Sequence, residues 1–116
     1  MMRSVDSRGG KEDTMTKAKH DFTDLLARYP DVIAQMKPAF TSHQFILRLA
    51  EQYQHDYVAA LTTYIGRRGP FKIVHKQLST YLRRFPKLVV YDGRASSQET
   101  RDIFGHAQAC AKWKKL

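Results

Sequence analysis

The side chains in this 116-residue chain that could do chemistry are mostly cations, and they are concentrated in one stretch. Residues 66–94 contain eight lysines and arginines but one acidic residue, Asp92, within a chain of formal net charge +9. A positive field of this kind attracts polyanions such as DNA, RNA or an acidic membrane surface. The predicted nucleic-acid-binding residues are Arg67, Arg68, Lys72, Lys76, Thr80, Arg83, Arg84, Lys87 and Arg94. The alternative is a solvated basic face that only maintains solubility.

Catalytic and metal-binding patterns are missing from the sequence. The five histidines and one cysteine do not have the paired spacing of a zinc site, and no glycine-rich phosphate loop is found. His106 and Cys110 would share a helix face, but two ligands do not make a metal site. We therefore expect a non-enzymatic protein with no catalytic residues, no metal ligands and no cofactor.

Length and composition predict how the chain is organised. With 42% apolar residues, the chain can build one core of ordinary size. We expect residues 1–19, which are polar, to form a disordered tail and residues 20–116 to form a single helical domain; Met15 is a second candidate start. The single cysteine and the lack of a signal peptide or of roughly 18 consecutive apolar residues predict a cytoplasmic protein with no membrane span.

The first half of the proposed domain shows helical patterns. Apolar residues from Phe22 are spaced for a helix that stops or kinks at Pro30, where a second short helix would begin. Thr41 and Gln44 have the spacing of a capping box at the start of the next helix. Apolar positions then recur as far as Tyr64, but residues 52–56 are weak helix formers. Residues 42–65 therefore form either one helix or two.

The basic stretch begins with a glycine-containing turn at residues 66–70, in which Pro70 suits a first helical position. A helix over residues 71–84 follows. This helix is predicted to expose its cations and to bury the apolar residues Phe71, Val74, Leu78, Tyr81 and Leu82.

Residues 88–91 are β-branched and aromatic and predict a short strand, which the pair Asp92-Gly93 would close as a turn. Ser96 and Glu99 have the spacing of another capping box, leading into a short turn near residues 100–104. Residues 106–116 alternate like a strand, whereas their alanines favour a helix. Of these two alternatives, we predict the helix.

These elements predict a mainly α fold, a compact helical domain of four to five helices with a short β element near residues 88–91. The order of helix, turn, basic helix and short strand suggests a winged helix-turn-helix. Two features count against this resemblance, because the helix before the turn looks too long and a second wing strand is not evident.

A basic helix at residues 71–84 could lie in a DNA major groove, so nucleic acid, DNA rather than RNA, is the predicted partner. If RNA is bound, Phe71, Tyr91 and Trp113 are the candidates for base stacking. The alternative is a protein-interaction module that docks an acidic partner. Binding to an anionic membrane is less favoured, because the apolar face of the helix is needed for the core. The oligomeric state is not predicted.

Overall fold

The computed structural model describes residues 19–116, so the predicted tail, apart from Lys19, lies outside the described residues. The elements are α1 (Thr23–Gln35), β1 (Ala39–Thr41), α2 (Ser42–Gln52), α3 (Gln54–Thr63), α4 (Pro70–Thr80), β2 (Val89–Ala95) and β3 (Cys110–Lys115). A 3₁₀ turn, Tyr81–Arg84, continues α4. Four helices and a small antiparallel sheet confirm the prediction of a helical domain with a short β element.

Helix α1 continues through Pro30, so the prediction that this proline divides two helices is wrong. Proline removes one backbone hydrogen bond from a helix interior and usually breaks or kinks it. Here Leu25 and Tyr29 before the proline and Val32 and Ile33 after it are all buried on the same face. The burial of apolar side chains from both halves of the helix offsets the lost hydrogen bond.

The predicted capping box at the start of α2 is confirmed. The Thr41 hydroxyl accepts a hydrogen bond from the Gln44 backbone N–H at 3.2 Å, and the Gln44 side chain accepts one from the Thr41 N–H at 2.9 Å. Residues 42–65 form two helices rather than one, with the break at Tyr53. The break lies within the stretch of weak helix formers, and it limits α3 to ten residues.

The turn before α4 and the start of α4 are as the sequence predicts. Gly69 precedes the helix with φ of 68°, a left-handed conformation that suits glycine, and Pro70 occupies the first turn. Val74, Leu78 and Leu82 are buried. The α-helix ends at Thr80 instead of Arg84, because the last residues tighten into the 3₁₀ turn.

The C-terminal segment is strand β3, so the prediction of a helix over residues 106–116 is wrong. β3 is the central strand of a sheet with the order β1-β3-β2, and both of its neighbours are antiparallel to it. Trp113 pairs with Phe40 of β1 on one side and with Tyr91 of β2 on the other. The helix propensity of the alanines is worth only roughly a few tenths of a kcal/mol per residue. Strand pairing on both edges of β3 outweighs it.

Asp92-Gly93 does not close a hairpin, which corrects the predicted turn. The two residues lie inside β2, where the register with β3 shifts between Tyr91 and Arg94. Gly93 has φ of 87°, a conformation typical of a β-bulge glycine. The strand continues to Ala95, and residues 96–109 form a long connection to β3, which we call the arm. Ser96 and Glu99 form a hydrogen-bonded turn in the arm, in which the Ser96 N–H donates to Glu99 Oε1 at 2.7 Å.

Among residues 19–116, the one buried polar side chain is that of Ser42, which joins the sheet to two helices. The indole Nε1–H of Trp113 donates to Ser42 Oγ at 2.9 Å, and Ser42 Oγ also shares a hydrogen bond with Ser79 Oγ of α4 at 2.6 Å. This network fixes α4 relative to β3, and therefore positions the basic helix against the sheet. Within residues 19–116, no helix is long and apolar enough to cross a membrane.

Candidate nucleic-acid interface

All nine predicted site residues have exposed side chains, but the structure divides them into two groups. Five of them line a groove between α4 and the arm: Lys72, Lys76, Thr80, Arg83 and Arg94. The other four lie outside this groove: Arg67, Arg68, Arg84 and Lys87. The fold thus brings cations of α4, of the 3₁₀ turn and of β2 to one surface.

The α4–arm groove encloses about 650 Å³. One wall is the outward face of α4, and the opposite wall is made by the arm and the start of β3. Ser42 and Ser79 lie at its base together with Trp113, so the buried hydrogen-bond network supports the floor of the groove. The shape of the groove therefore depends on the contact between α4 and β3.

Arg83 is held in place by aromatic rings. Its guanidinium carbon lies 4.7 Å from the centroid of the Tyr91 ring and 5.7 Å from that of Trp113. Stacking of this kind restricts the side chain while leaving its N–H donors free for a bidentate acceptor such as phosphate. Arg84 stacks on Tyr81 instead, at 4.5 Å, and Arg67 lies 5.6 Å from the ring of Tyr64. These two stacked arginines face other parts of the surface.

The arm is fastened to the helices at two points. His43 Nδ1 of α2 shares a hydrogen bond with Thr100 Oγ1 at 3.2 Å. Phe104 packs against Phe71 at the start of α4, with ring centroids 4.8 Å apart and planes at 79°. Between these points, Asp102 Oδ1 accepts hydrogen bonds from the backbone N–H groups of Phe104 and His106, both at 2.9 Å. The arm is therefore an ordered wall of the groove.

His75 lies beneath the contact between α4 and the arm and is uncharged at neutral pH. Its Nε2 shares a 2.6 Å hydrogen bond with the hydroxyl of Tyr57, and its ring stacks near those of Tyr57 and Phe104. The pKa of His75 is lowered to about 4, mainly by burial; the charge of Asp102 opposes this shift, and His43 adds a smaller lowering. His75 therefore acts as a packing residue under the groove at neutral pH, and its charge does not add to the basic surface.

The electrostatic balance of the groove is positive. Asp102 is the one acidic residue that lines it, against Lys72, Lys76, Arg83 and Arg94. Within the described residues there is one lysine–carboxylate ion pair, Lys114 with Asp92 at 3.8 Å, and His106 Nδ1 lies 3.6 Å from the Asp102 carboxylate. Neither contact involves the four groove cations.

The three aromatic residues named as stacking candidates, Phe71, Tyr91 and Trp113, all line the groove, and sequence reasoning missed a fourth, Phe104. Phe71 was predicted to be buried, but its side chain is 43% exposed, and its ring contacts Phe104 of the arm. Phe104, which was not predicted as a site residue, is 51% exposed, and Tyr91 is 40% exposed. Trp113, a predicted stacking candidate, is buried and hydrogen bonded and cannot stack on a base. The only signal for Phe104 was an apolar residue before Gly105 in a polar loop.

Within residues 19–116, no group of three or more histidine, cysteine or acidic side chains could hold a metal ion. Cys110 is buried at the end of the groove. Comparison of the chain with protein-family models, with curated proteins and with solved structures found no match.

Proposed function

We propose that this protein binds nucleic acid, and DNA in particular, without catalysing a reaction. The observation that carries the proposal is that four cations from three separate elements line one groove: Lys72 and Lys76 of α4, Arg83 of the 3₁₀ turn and Arg94 of β2. Phosphate contacts from lysine and arginine supply most of the affinity of proteins for DNA. A basic surface kept for solubility would not require the cations to converge.

The order of the elements supports DNA over other polyanions. Helix α3, a glycine-containing turn and α4 are followed by two antiparallel strands, which is the order of a winged helix-turn-helix. Both features that counted against this resemblance are absent, because α3 has ten residues and β3 supplies the second strand. In such proteins the second helix of the pair contacts DNA, and here that helix is α4. The support is an analogy of fold.

The test compares two variants of equal charge. One replaces the four groove cations by glutamine (Lys72→Gln, Lys76→Gln, Arg83→Gln and Arg94→Gln). The other replaces four exposed cations elsewhere: Lys19→Gln, Arg28→Gln, Lys37→Gln and Arg48→Gln. Either set lowers the formal net charge from +9 to +5. The control variant therefore measures the effect of charge, and the groove variant measures the effect of its placement.

Fluorescence anisotropy with labelled duplex and single-stranded DNA at about 50 mM salt should show that the groove variant binds DNA at least about a hundredfold more weakly than the wild type. The affinity of the control variant should fall by about tenfold or less. Both should melt within a few degrees of the wild type, because exposed charges contribute little to stability. Equal affinities for the two variants would contradict the proposal.

A second candidate is docking of an acidic protein, and one observation favours it. The exposed pair of Phe71 and Phe104 provides an apolar patch amid the cations, which protein interfaces usually require. This candidate predicts that neither form of DNA binds even at about 50 mM salt. It also predicts that a synthetic peptide of aspartate and phenylalanine residues binds and loses affinity with Phe104→Ala.

A further inference from the structure

The α4–arm groove combines exposed aromatic rings with cations. Phe71 and Phe104 meet edge to face at one end of it, and Tyr91 lies beside Arg83 farther along. Burying such rings is favourable, so three partly exposed rings on one surface indicate a surface that is covered by a ligand. Lysines and arginines between them indicate that the ligand is anionic.

Alternation of rings and cations is the chemistry of single-strand recognition. Unpaired bases stack on aromatic side chains while the charged backbone follows a positive groove. Lys72 directly follows Phe71, and Lys76 lies one helical turn farther along α4. Arg83, whose guanidinium lies over the Tyr91 ring, and Arg94 line the same groove. In a duplex each base face is covered by the neighbouring base pair, so these rings would find no free base face on which to stack.

The position of the arm also favours a single strand over a duplex. A helix is about as wide as the DNA major groove, roughly 10–12 Å, so it must stand clear of its neighbours to enter. Phe104 of the arm contacts the first turn of α4, and His43 anchors the arm to α2 through Thr100. The space left is about 650 Å³, which lies within the roughly 300–1,000 Å³ of pockets for small ligands. A few unpaired nucleotides fit in this space. The resemblance to a winged helix-turn-helix supports α4 as the helix that contacts DNA, and the position of the arm beside α4 favours an unpaired strand there.

We infer that the α4–arm groove binds a single-stranded segment of DNA, with bases stacked on Phe71 and Phe104 and with phosphates beside Lys72, Lys76, Arg83 and Arg94. This inference rests on the proposed function and specifies the form of DNA that the same site takes. The aromatic rings then give the preference for unpaired bases, and the cations give the general affinity for phosphate.

The experiment uses a labelled twelve-residue oligothymidylate and a hairpin duplex with the same number of phosphates, both at about 100 mM salt. The wild-type protein should bind the single strand at least tenfold more tightly than the duplex. Phe104→Leu and, separately, Phe71→Leu keep an apolar side chain but remove the ring. Each should weaken single-strand binding about tenfold, as loss of one stacked base does, and change duplex binding less than threefold. Ile65→Ala, an exposed apolar site outside the groove, is the control.

Three results would overturn the inference. The first is that the duplex and the single strand bind with equal affinity and that both leucine variants bind the single strand as tightly as the wild type. This result would refute the single-strand assignment, but it would not contradict the proposal that the groove cations bind DNA. Failure of both DNA forms to bind would refute the proposal and the inference together. An oligouridylate that binds more tightly than the oligothymidylate would refute DNA as the ligand. Phe104 lies in the arm rather than the core, so its leucine variant keeps the test valid if Phe71→Leu unfolds the protein.

Discussion

Replacing Ser42 with alanine tests whether the buried network beneath the groove stabilises the fold. The Ser42 side chain is 1% exposed, and its hydroxyl accepts the indole N–H of Trp113 and bonds to Ser79. Alanine leaves the indole N–H buried without an acceptor, at a cost of about 1–3 kcal/mol. The Ser79 hydroxyl lines the groove and can form a hydrogen bond to water instead. Loss of the hydrogen bond between Ser42 and Ser79 therefore adds little to the cost. We expect a decrease of about 2 kcal/mol in the free energy of unfolding.

Urea denaturation followed by tryptophan fluorescence is the assay. Trp113 is the only tryptophan, so its emission reports directly on the packing of β3. A loss of about 2 kcal/mol should lower the melting temperature by about 10 °C in a domain of this size. Ser97→Ala, in an exposed turn of the arm, should change stability by less than about 0.5 kcal/mol. A Ser42→Ala variant as stable as the wild type would refute the assignment of a buried, bonded indole.

Three further predictions concern the elements that position the groove. Because the pKa of His75 is lowered, the unfolded chain binds more protons than the folded chain between pH 6.5 and about 4. The free energy of unfolding should therefore fall by about 1–2 kcal/mol as the pH drops through this range. This figure allows for the part of the His75 ring that water reaches. Urea midpoints at pH 7 and pH 5 measure this loss, and His75→Gln should reduce it. Thr41→Ala removes half of the capping box and should cost about 1 kcal/mol by urea denaturation; an unchanged midpoint would argue against the cap. Gly69→Ala places a side chain on a left-handed backbone and should lower the free energy of unfolding by about 1–2 kcal/mol. A variant that melts at a higher temperature than the wild type would show that φ at residue 69 is negative.

Local signals in the sequence predicted the parts of the fold that neighbouring residues determine. The capping box at Thr41 and Gln44 depends on residues three apart, and it forms as expected. The turn at Gly69 and the buried positions of α4 are local in the same sense. The exposure of the cations also follows from the helical spacing of α4.

Contacts between distant segments account for what the sequence did not predict. β3 becomes a strand because residues 39–41 and 89–95 pair with it, and neither partner is close in sequence. Pro30 is tolerated because the burial of residues on both sides of it holds α1 together. The groove itself depends on where Phe104 docks, 33 positions after Phe71, and no local pattern encodes that contact.

The most direct test of nucleic-acid binding through this groove is the salt dependence of DNA affinity in the wild type and in the variant that lacks Lys72, Lys76, Arg83 and Arg94. Four phosphate contacts to a single strand predict a slope of log K against log salt near −2.8, roughly a fiftyfold loss of affinity between 50 and 200 mM. The glutamine variant should bind weakly with a slope near zero. A wild-type affinity that does not change with salt, or a variant with the wild-type slope, would contradict the assignment of these four cations as the phosphate-binding residues.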